Sequence, residues 1–362
     1  MSESEPRDLV PLRFVVGGLA VGAVVAASAA LARWAYRNTA TYERVRPAVE
    51  RAGFEEKTIT VDDAVVLTYA EGPRVPGRPT LLLIHGQASD WKSYGPVLPT
   101  LAEDFHVIAV DIPGHGGSDR TPGRYTAVEI GVLLCRFLDR LELREVIVSG
   151  HSSGGQLAAW LGAHCPERII AVHLEDPPMF TTLPDRAPLT WNYVDLATAC
   201  HHFLATDPES ADDFPAYYWT HQHMWKYFGG GADRMRRAGL KFHARNPGRP
   251  IAPWWMPGAD LRRSLMTYDP RFGDAFYTCR WDTGFDHEAT LRAVTQPSTY
   301  LHAKVDYDGQ ILRGAASDDD AARIAELLPD ADFIQTDTGH GIHAEAPELF
   351  VRSLQKLADR AS

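Results

Sequence analysis

One ten-residue stretch constrains this chain more than any other: Val146-Ile147-Val148-Ser149-Gly150-His151-Ser152-Ser153-Gly154-Gly155. A β-branched run enters it, and Gln156-Leu157-Ala158-Ala159-Trp160-Leu161 opens a helical pattern behind it. The core is G-x-S-x-G. A strand that turns directly into a helix needs glycine on both sides of the turn, because the backbone passes too close to its neighbours for a Cβ. Ser152 then stands at the apex with its hydroxyl exposed, and the helix N-terminus behind it favours developing negative charge. Five residues alone are a weak signal, since a glycine-rich turn with an incidental serine reads the same way. The strand-to-helix setting is what makes the motif point to a nucleophile.

The rest of the chain agrees with such a setting. Thr58–Val61 and Val65–Tyr69 read as two short strands around the Asp62-Asp63 turn. Continuous apolar runs follow at Thr80–Ile84, Val107–Val110, Val146–Val148, Ile169–Leu174, Thr299–His302 and Phe333–Ile334. Such runs suit parallel strands buried on both faces. Ala127–Leu141, Ser153–His164 and Pro347–Leu357 carry apolar residues at helical spacing. The alternation predicts a mostly parallel α/β sheet flanked by helices, with ligands bound beyond the carboxyl ends of its strands. Residues 180–290 break the pattern and are rich in aromatics, among them Trp191, Tyr193, Tyr218, Trp219, Trp225, Trp254, Trp255 and Trp281. They read as a mainly helical cap. Its aromatics either line an apolar substrate site or fill the cap's own core.

A serine hydroxyl needs a base. Thr338-Gly339-His340-Gly341-Ile342-His343 follows the last predicted strand and precedes the C-terminal helix, which puts His340 at the same sheet edge as Ser152. His343 is the nearest rival and reads as a support for the loop. An oxyanion also needs N–H donors. These fall to Ser153, the residue after the nucleophile, and to Gln87 in the His85-Gly86-Gln87 turn that ends a buried strand. The remaining histidines, including His201-His202 and the His221/His223 pair, have no matched carboxylate spacing, so neither a metal nor another cofactor is expected.

In order, His85-Gly86, Asp111-Ile112-Pro113-Gly114-His115-Gly116-Gly117-Ser118, Gly150-His151-Ser152-Ser153-Gly154 and Gly339-His340 resemble the α/β-hydrolase superfamily, in its capped, serine-nucleophile form. The resemblance covers most of residues 57–362 apart from the cap. It implies that Asp111 belongs to a structural loop. It also implies a triad acid after the seventh strand, where Asp306 fits, or, as in a minority of relatives, after the sixth, where Asp176 fits. Asp306 sits in a segment that looks lengthened and has Ala303 where the family often has glycine. Asp176 follows a buried strand and precedes Pro177-Pro178, which stiffen the turn. Glu175 and Asp308 are further alternatives. The implied activity is hydrolysis of an ester, thioester or lactone of a mainly apolar small molecule. Carbon–carbon bond hydrolysis, cyanohydrin cleavage, perhydrolysis, amide hydrolysis and a non-catalytic binding role on the same fold stay open. An aspartate-nucleophile reaction is disfavoured by the serine at position 152.

The N-terminus stands apart. Phe14 to Ala32 are nineteen uncharged residues bracketed by Arg13 and Arg33. As a helix they would span about 28 Å, close to the hydrocarbon thickness of a bilayer. A single-pass membrane anchor, a cleaved signal peptide on a secreted protein and a buried helix are the three readings, and the anchor suits the length best. Arginines 33, 37, 44, 46 and 51 outnumber Arg7 and Arg13, which leans towards a cytoplasmic domain. The expected organisation is a tail and anchor over 1–37, a linker over 38–56, a hydrolase core over 57–179 and 291–362, and the cap over 180–290. A net charge of −11 without a run of lysines and arginines argues against a nucleic-acid partner. Cys135, Cys165, Cys200 and Cys279 form no C-x-x-C pair and read as four thiols, with one disulfide open to a domain in an oxidising compartment. Oligomeric state has no signature here.

Overall fold

The computed structural model describes Ser28 and residues 41–62, 64–206, 213–253, 256 and 258–362. Ten strands are present among them. β1 (Glu55–Asp62), β2 (Val65–Glu71), β3 (Thr80–Ile84), β4 (His106–Val110), β5 (Val146–His151), β6 (Ile169–Glu175), β7 (Ser298–His302) and β10 (Ala331–Gln335) make one sheet in the order β1-β2-β4-β3-β5-β6-β7-β10. β1 and β2 form an antiparallel hairpin, β2 joins β4 antiparallel, and every later pairing is parallel. β8 (Tyr307–Asp308) and β9 (Ile311–Leu312) form a separate small hairpin in the segment after β7.

The apolar runs alternate between two cores, as a period of two requires. Leu82 and Ile84 of β3, with Val146 and Val148 of β5, face one cluster. Leu81, Leu83 and Ile147 face the other. Helices Ala127–Arg140 and Ser153–His164 cover the first face. They approach closely at Gly131, where a Cβ would overlap the Trp160 indole. Helices Leu98–Asp104 and Pro347–Ala361 cover the second. Helix Thr41–Arg51, from the segment expected as a linker, packs there too, with Val49 buried and Tyr42 edge-on to Trp91 at 5.2 Å.

Between β6 and β7 the chain is helical, with Thr198–Thr206, Phe214–His221, Ala232–Arg245, Ala259–Ser264 and Pro270–Tyr277 as its main elements. Most of its aromatics are core. Trp219 and Trp225 centre a small cluster with Ile251 and Met256, while Phe214, Phe272, Phe276 and Trp281 join the large core. Trp254 and Trp255 lie outside the described residues, as does the Phe14–Ala32 run apart from Ser28. Among the described residues no helix is long and apolar enough to cross a membrane.

The four-thiol reading is corrected. Cys135 and Cys165 are joined, with Cα atoms 6.7 Å apart, and Cys200 and Cys279 are free. The close helix pair at Gly131 and Trp160 brings these two cysteines together, which their spacing in the sequence does not reveal.

Candidate active site

Ser152 lies one residue beyond β5 with φ +53° and ψ −126°, a strained conformation for a residue with a side chain. Its N–H donates to the Glu175 carbonyl at 2.9 Å, and its own carbonyl accepts from Gly155 at 2.7 Å. The flanking glycines are required: a Cβ at 150 would collide with the Gly154 carbonyl, and one at 154 with those of Ile84 and His85. Ser153 opens the following helix, so its N–H has no intrahelical partner.

Asp176 lies one residue beyond β6 and is fully buried, with φ +43° and its N–H donated to the Leu301 carbonyl at 2.8 Å. Its carboxylate meets four groups. Oδ2 accepts from His340 Nδ1 at 2.6 Å and from the Ala315 N–H at 3.4 Å. Oδ1 accepts from His302 Nδ1 at 3.1 Å and from the Ala303 N–H at 3.3 Å. Burial disfavours the charged carboxylate, but the hydrogen bonds from His302 and His340 outweigh it, and Asp176 stays ionised well below the usual carboxylate range. For His340 the balance runs likewise. Burial disfavours the imidazolium, and the Asp176 hydrogen bond and charge leave its pKa raised. With Nδ1–H given to Asp176, Nε2 is the nitrogen left to accept a proton. In this conformation no hydrogen bond joins His340 to Ser152, although both line the same cavity.

Asp306, the alternative acid, is not brought to His340. Its side chain is 64% exposed and accepts from Arg313 at 3.1 Å. The lengthened loop after β7 carries it outward on the approach to the β8–β9 hairpin, and Asp176 fills the place beside His340 Nδ1. Asp308 is likewise outside, bonded to Lys226 and Tyr227. Glu175 has a different partner. It is fully buried and accepts from the His343 N–H at 2.8 Å and from His343 Nδ1 at 2.9 Å. Burial pushes Glu175 up, but the charge and hydrogen bonds of His343 hold it lowered to about 2. The His151 ring lies 4.5 Å from His340 and 5.2 Å from His343, and its Nε2 meets the His340 carbonyl at 3.0 Å. This pair braces the loop that carries His340.

Asp111 lies in its loop as a structural group: it accepts from the N–H groups of Trp91 at 2.7 Å and Gly117 at 2.9 Å. Burial and the neighbouring Asp90 push it up to about 8.

A cavity of about 270 Å³ joins Ser152, Ser153, Gln87 and His340. The Gln87 amide is held by Tyr268 Oη at 2.8 Å. The helical insertion roofs the cavity with Trp191, Leu196, Leu261 and Phe276 beside Asp195 and Tyr218, so the lining is mixed rather than purely apolar. Asp195 accepts from the Tyr218 hydroxyl and the His223 N–H, and burial raises its pKa. Arg313 stands at the rim, 5.5 Å over both Trp191 and Tyr227. The sequence reading had no place for Asp195, Arg313 or His302. Only His302 had a local signal, as it directly precedes the segment weighed for Asp306. Among the described residues no group of three or more His, Cys, Asp and Glu side chains is arranged to hold a metal ion.

A parallel sheet with a strained serine between β5 and its helix, and a histidine–carboxylate pair at the same edge, defines the α/β-hydrolase fold. The family described as alpha/beta hydrolase fold matches residues 79–199. The chain is 33% identical over 112 residues to the uncharacterized hydrolase YugF of Bacillus subtilis (strain 168), covering 31% of this chain and 40% of that protein. It is 34% identical over 115 residues to the dihydrolipoyllysine-residue acetyltransferase component of the acetoin cleaving system of Cupriavidus necator, covering 32% and 30%. The match thus spans well under half the length of these relatives. Among solved structures, the enol-lactonase of Burkholderia xenovorans LB400 superposes with a TM-score of 0.57 at 17% identity, over 84% of this chain and all of that one. A membrane phospholipase A described as a bacterial virulence factor superposes with a TM-score of 0.59 at 22% identity, over 96% and 98%. The chain has the α/β-hydrolase fold, and its residues 79–199 match the family of that name.

Proposed function

We propose that the protein is a serine ester hydrolase acting on a small molecule through Ser152, His340 and Asp176. The observation that carries this reading is the 2.6 Å contact of buried Asp176 with His340 Nδ1, at a cavity that His340 shares with Ser152. Ser152 Oγ attacks the acyl carbon while His340 Nε2 takes its proton. Asp176 fixes the ring's tautomer and stabilises the imidazolium as it forms. The N–H groups of Ser153 and Gln87 hold the oxyanion. His340 then returns the proton to the leaving alcohol or thiol, and water releases the acyl group by the same steps in reverse order of partners. A cavity of about 270 Å³ suits a compact acyl or alkoxy group better than a long chain folded inside. Thioesters and lactones follow the same chemistry.

Residues 14–32 are read as a single-pass anchor, on their length and lack of charge. The Cys135–Cys165 bridge favours a catalytic domain on the oxidising side of that membrane, against the lean from flanking arginines. Those at 44, 46 and 51 belong to a folded helix, and long folded domains cross largely regardless of charge.

The test is Ser152→Ala against wild type on p-nitrophenyl esters of increasing chain length, together with labelling by a fluorophosphonate. The expected result is loss of both labelling and turnover with the fold intact. Turnover near wild type in the alanine variant overturns the assignment.

A further inference from the structure

Helix Ala232–Arg245 carries Arg234, Arg237, Lys241 and Arg245 at spacings of three, four and four, which stacks them on one face. The opposite face is buried, and Gly239 lies so close to Trp219 that a Cβ there would overlap the indole. All four cations are exposed, as is Arg249 just beyond the helix. None of the five has an ion-pair partner among the described residues. The helix's own acid, Asp233, is taken by Arg236 at 2.9 Å. Leu240 and Phe242, at 38% and 42% exposure, flank the cation stripe. In a chain of net charge −11 this is a local reversal of sign. Along the sequence these cations form no run, and the helix gathers them.

The same region receives the N-terminal segment. Thr41 donates its N–H and hydroxyl to Asp260 at 2.8 and 2.7 Å. Asp260 belongs to helix Ala259–Ser264, whose Arg262 lies 6.0 Å over Trp219. Trp219 in turn donates Nε1–H to the Arg236 carbonyl at 3.0 Å. Thr41 is thus linked to the cationic helix through helix Ala259–Ser264 and one buried indole. Leu261, next to Asp260, lines the catalytic cavity. Residues 33–40 separate the uncharged run from Thr41 and reach at most about 30 Å fully extended.

We propose that helix Ala232–Arg245 docks on a bilayer surface bearing anionic phospholipid, with its cation stripe over the headgroups and the catalytic cavity held close to the interface. The proposal rests on reading residues 14–32 as an anchor in that bilayer. Charge complementarity selects an anionic partner. Leu240 and Phe242 beside the cations, and the short leash, select a membrane over a nucleic acid, because apolar side chains gain by entering the headgroup–acyl boundary.

The test uses the full chain with Cys279→Ser and Ala238→Cys, an exposed position on the cation face, labelled with an environment-sensitive fluorophore. It is reconstituted with vesicles of brominated phosphatidylcholine, alone or with roughly one-third phosphatidylglycerol. The expected result is quenching at position 238 with phosphatidylglycerol present. The quenching falls by at least about twofold without that lipid, or at ~1 M salt, where the Debye length is about 3 Å. Arg237→Glu, Lys241→Glu and Arg245→Glu together produce the same fall. A label at Val75→Cys, before β3 and at the opposite end of the sheet from the site, stays unquenched. Protein that floats with vesicles while position 238 is unquenched, or is quenched regardless of salt and charge reversal, overturns the docking and leaves the anchor. Quenching with flotation that washing in alkaline carbonate abolishes keeps the docking and removes the anchor. Neither signal removes both, and preferential binding of duplex DNA at the same salt makes nucleic acid the occupant and overturns the proposal.

Discussion

Replacing Asp176 by asparagine is the sharpest perturbation of the proposed triad, because it keeps size and removes charge and two acceptor sites. Each carboxylate oxygen accepts one imidazole N–H and one backbone N–H: His340 and Ala315 at Oδ2, His302 and Ala303 at Oδ1. An amide cannot accept at both. If its NH₂ takes the Oδ2 place, it donates to His340 Nδ1, and the ring must carry its proton on Nε2, where it cannot accept from Ser152. If it turns round, the amide oxygen keeps His340 in the useful tautomer, but the NH₂ faces the Ala303 N–H in a fully buried site. Either orientation removes the negative charge that stabilises the imidazolium. The expected loss is on the order of 10³- to 10⁴-fold in kcat/KM, about 4–5.5 kcal/mol of transition-state stabilisation. Most of it should fall on kcat, because ground-state binding does not use this charge. The assay is steady-state hydrolysis of one activated ester by wild type, Asp176→Asn and Asp306→Asn, with circular dichroism to establish folding. Asp306 is an exposed partner of Arg313, so Asp306→Asn should stay within a few-fold of wild type. A folded Asp176→Asn protein within about tenfold of wild type, with Asp306→Asn crippled, would refute the reasoning.

Two further outcomes follow from the same geometry. Because His340 must be neutral to accept the proton and its pKa is raised, kcat/KM should rise with pH through a midpoint above the ordinary histidine value of about 6.5, and Asp176→Asn should move that midpoint down. Glu175 is depressed to about 2, so its contribution is present above the unfolded carboxylate pKa and is lost as pH falls towards 2; Glu175→Gln should shrink that acid-unfolding component, on the order of 3 kcal/mol, as read by denaturant titrations at stepped pH. The Cys135–Cys165 bridge closes a sequence separation of 30, and chain-entropy estimates make its loss about 3–4 kcal/mol. Unreduced protein in guanidinium should therefore titrate for two thiols, and reduced protein for four. Four thiols without reductant would remove the bridge and the argument it makes for an oxidising compartment.

The sheet was legible because its strands are buried on both faces, which writes each one as an unbroken apolar run such as Thr80–Ile84. The turn that carries Ser152 was legible because a Cβ at 150 or 154 meets backbone carbonyls, so glycine spacing is forced locally. What stayed hidden depends on which elements meet in space. Cys135 sits on one of two helices that touch at Gly131 and Trp160, Cys165 lies just past the end of the other, and no local pattern encodes that contact. The aromatics of residues 180–290 looked alike in sequence, yet Trp219 and Trp281 are core while the half-buried Trp191 and Tyr193 line the cavity. Spacings of three and four concealed the cations of helix Ala232–Arg245, because only a helix turns that spacing into a stripe.

The proposed acid was the one site residue with several open positions, Asp176, Asp306, Glu175 and Asp308, and the reason is that its identity is written in two distant segments read together. β6 runs into Glu175-Asp176, and neighbouring residues at a strand end point to opposite sides. The segment after β10 supplies His340 and His343, the second at the start of a short helix, Ile342–Glu345. The two carboxylates therefore meet one histidine each. Asp176 takes His340, whose side chain remains 35% exposed towards the cavity, and Glu175 takes His343, which is buried. The adjacent acidic pair gives each histidine its own partner, and it separates the proposed base, His340, from His343. It also frees the loop after β7. With the carboxylate supplied from β6, that loop has no constraint to end near His340, and it extends into the β8–β9 hairpin, which delivers Arg313 to the cavity rim beside Trp191. The lengthening that weakened the case for Asp306 is thus the same feature that shapes the mouth of the site.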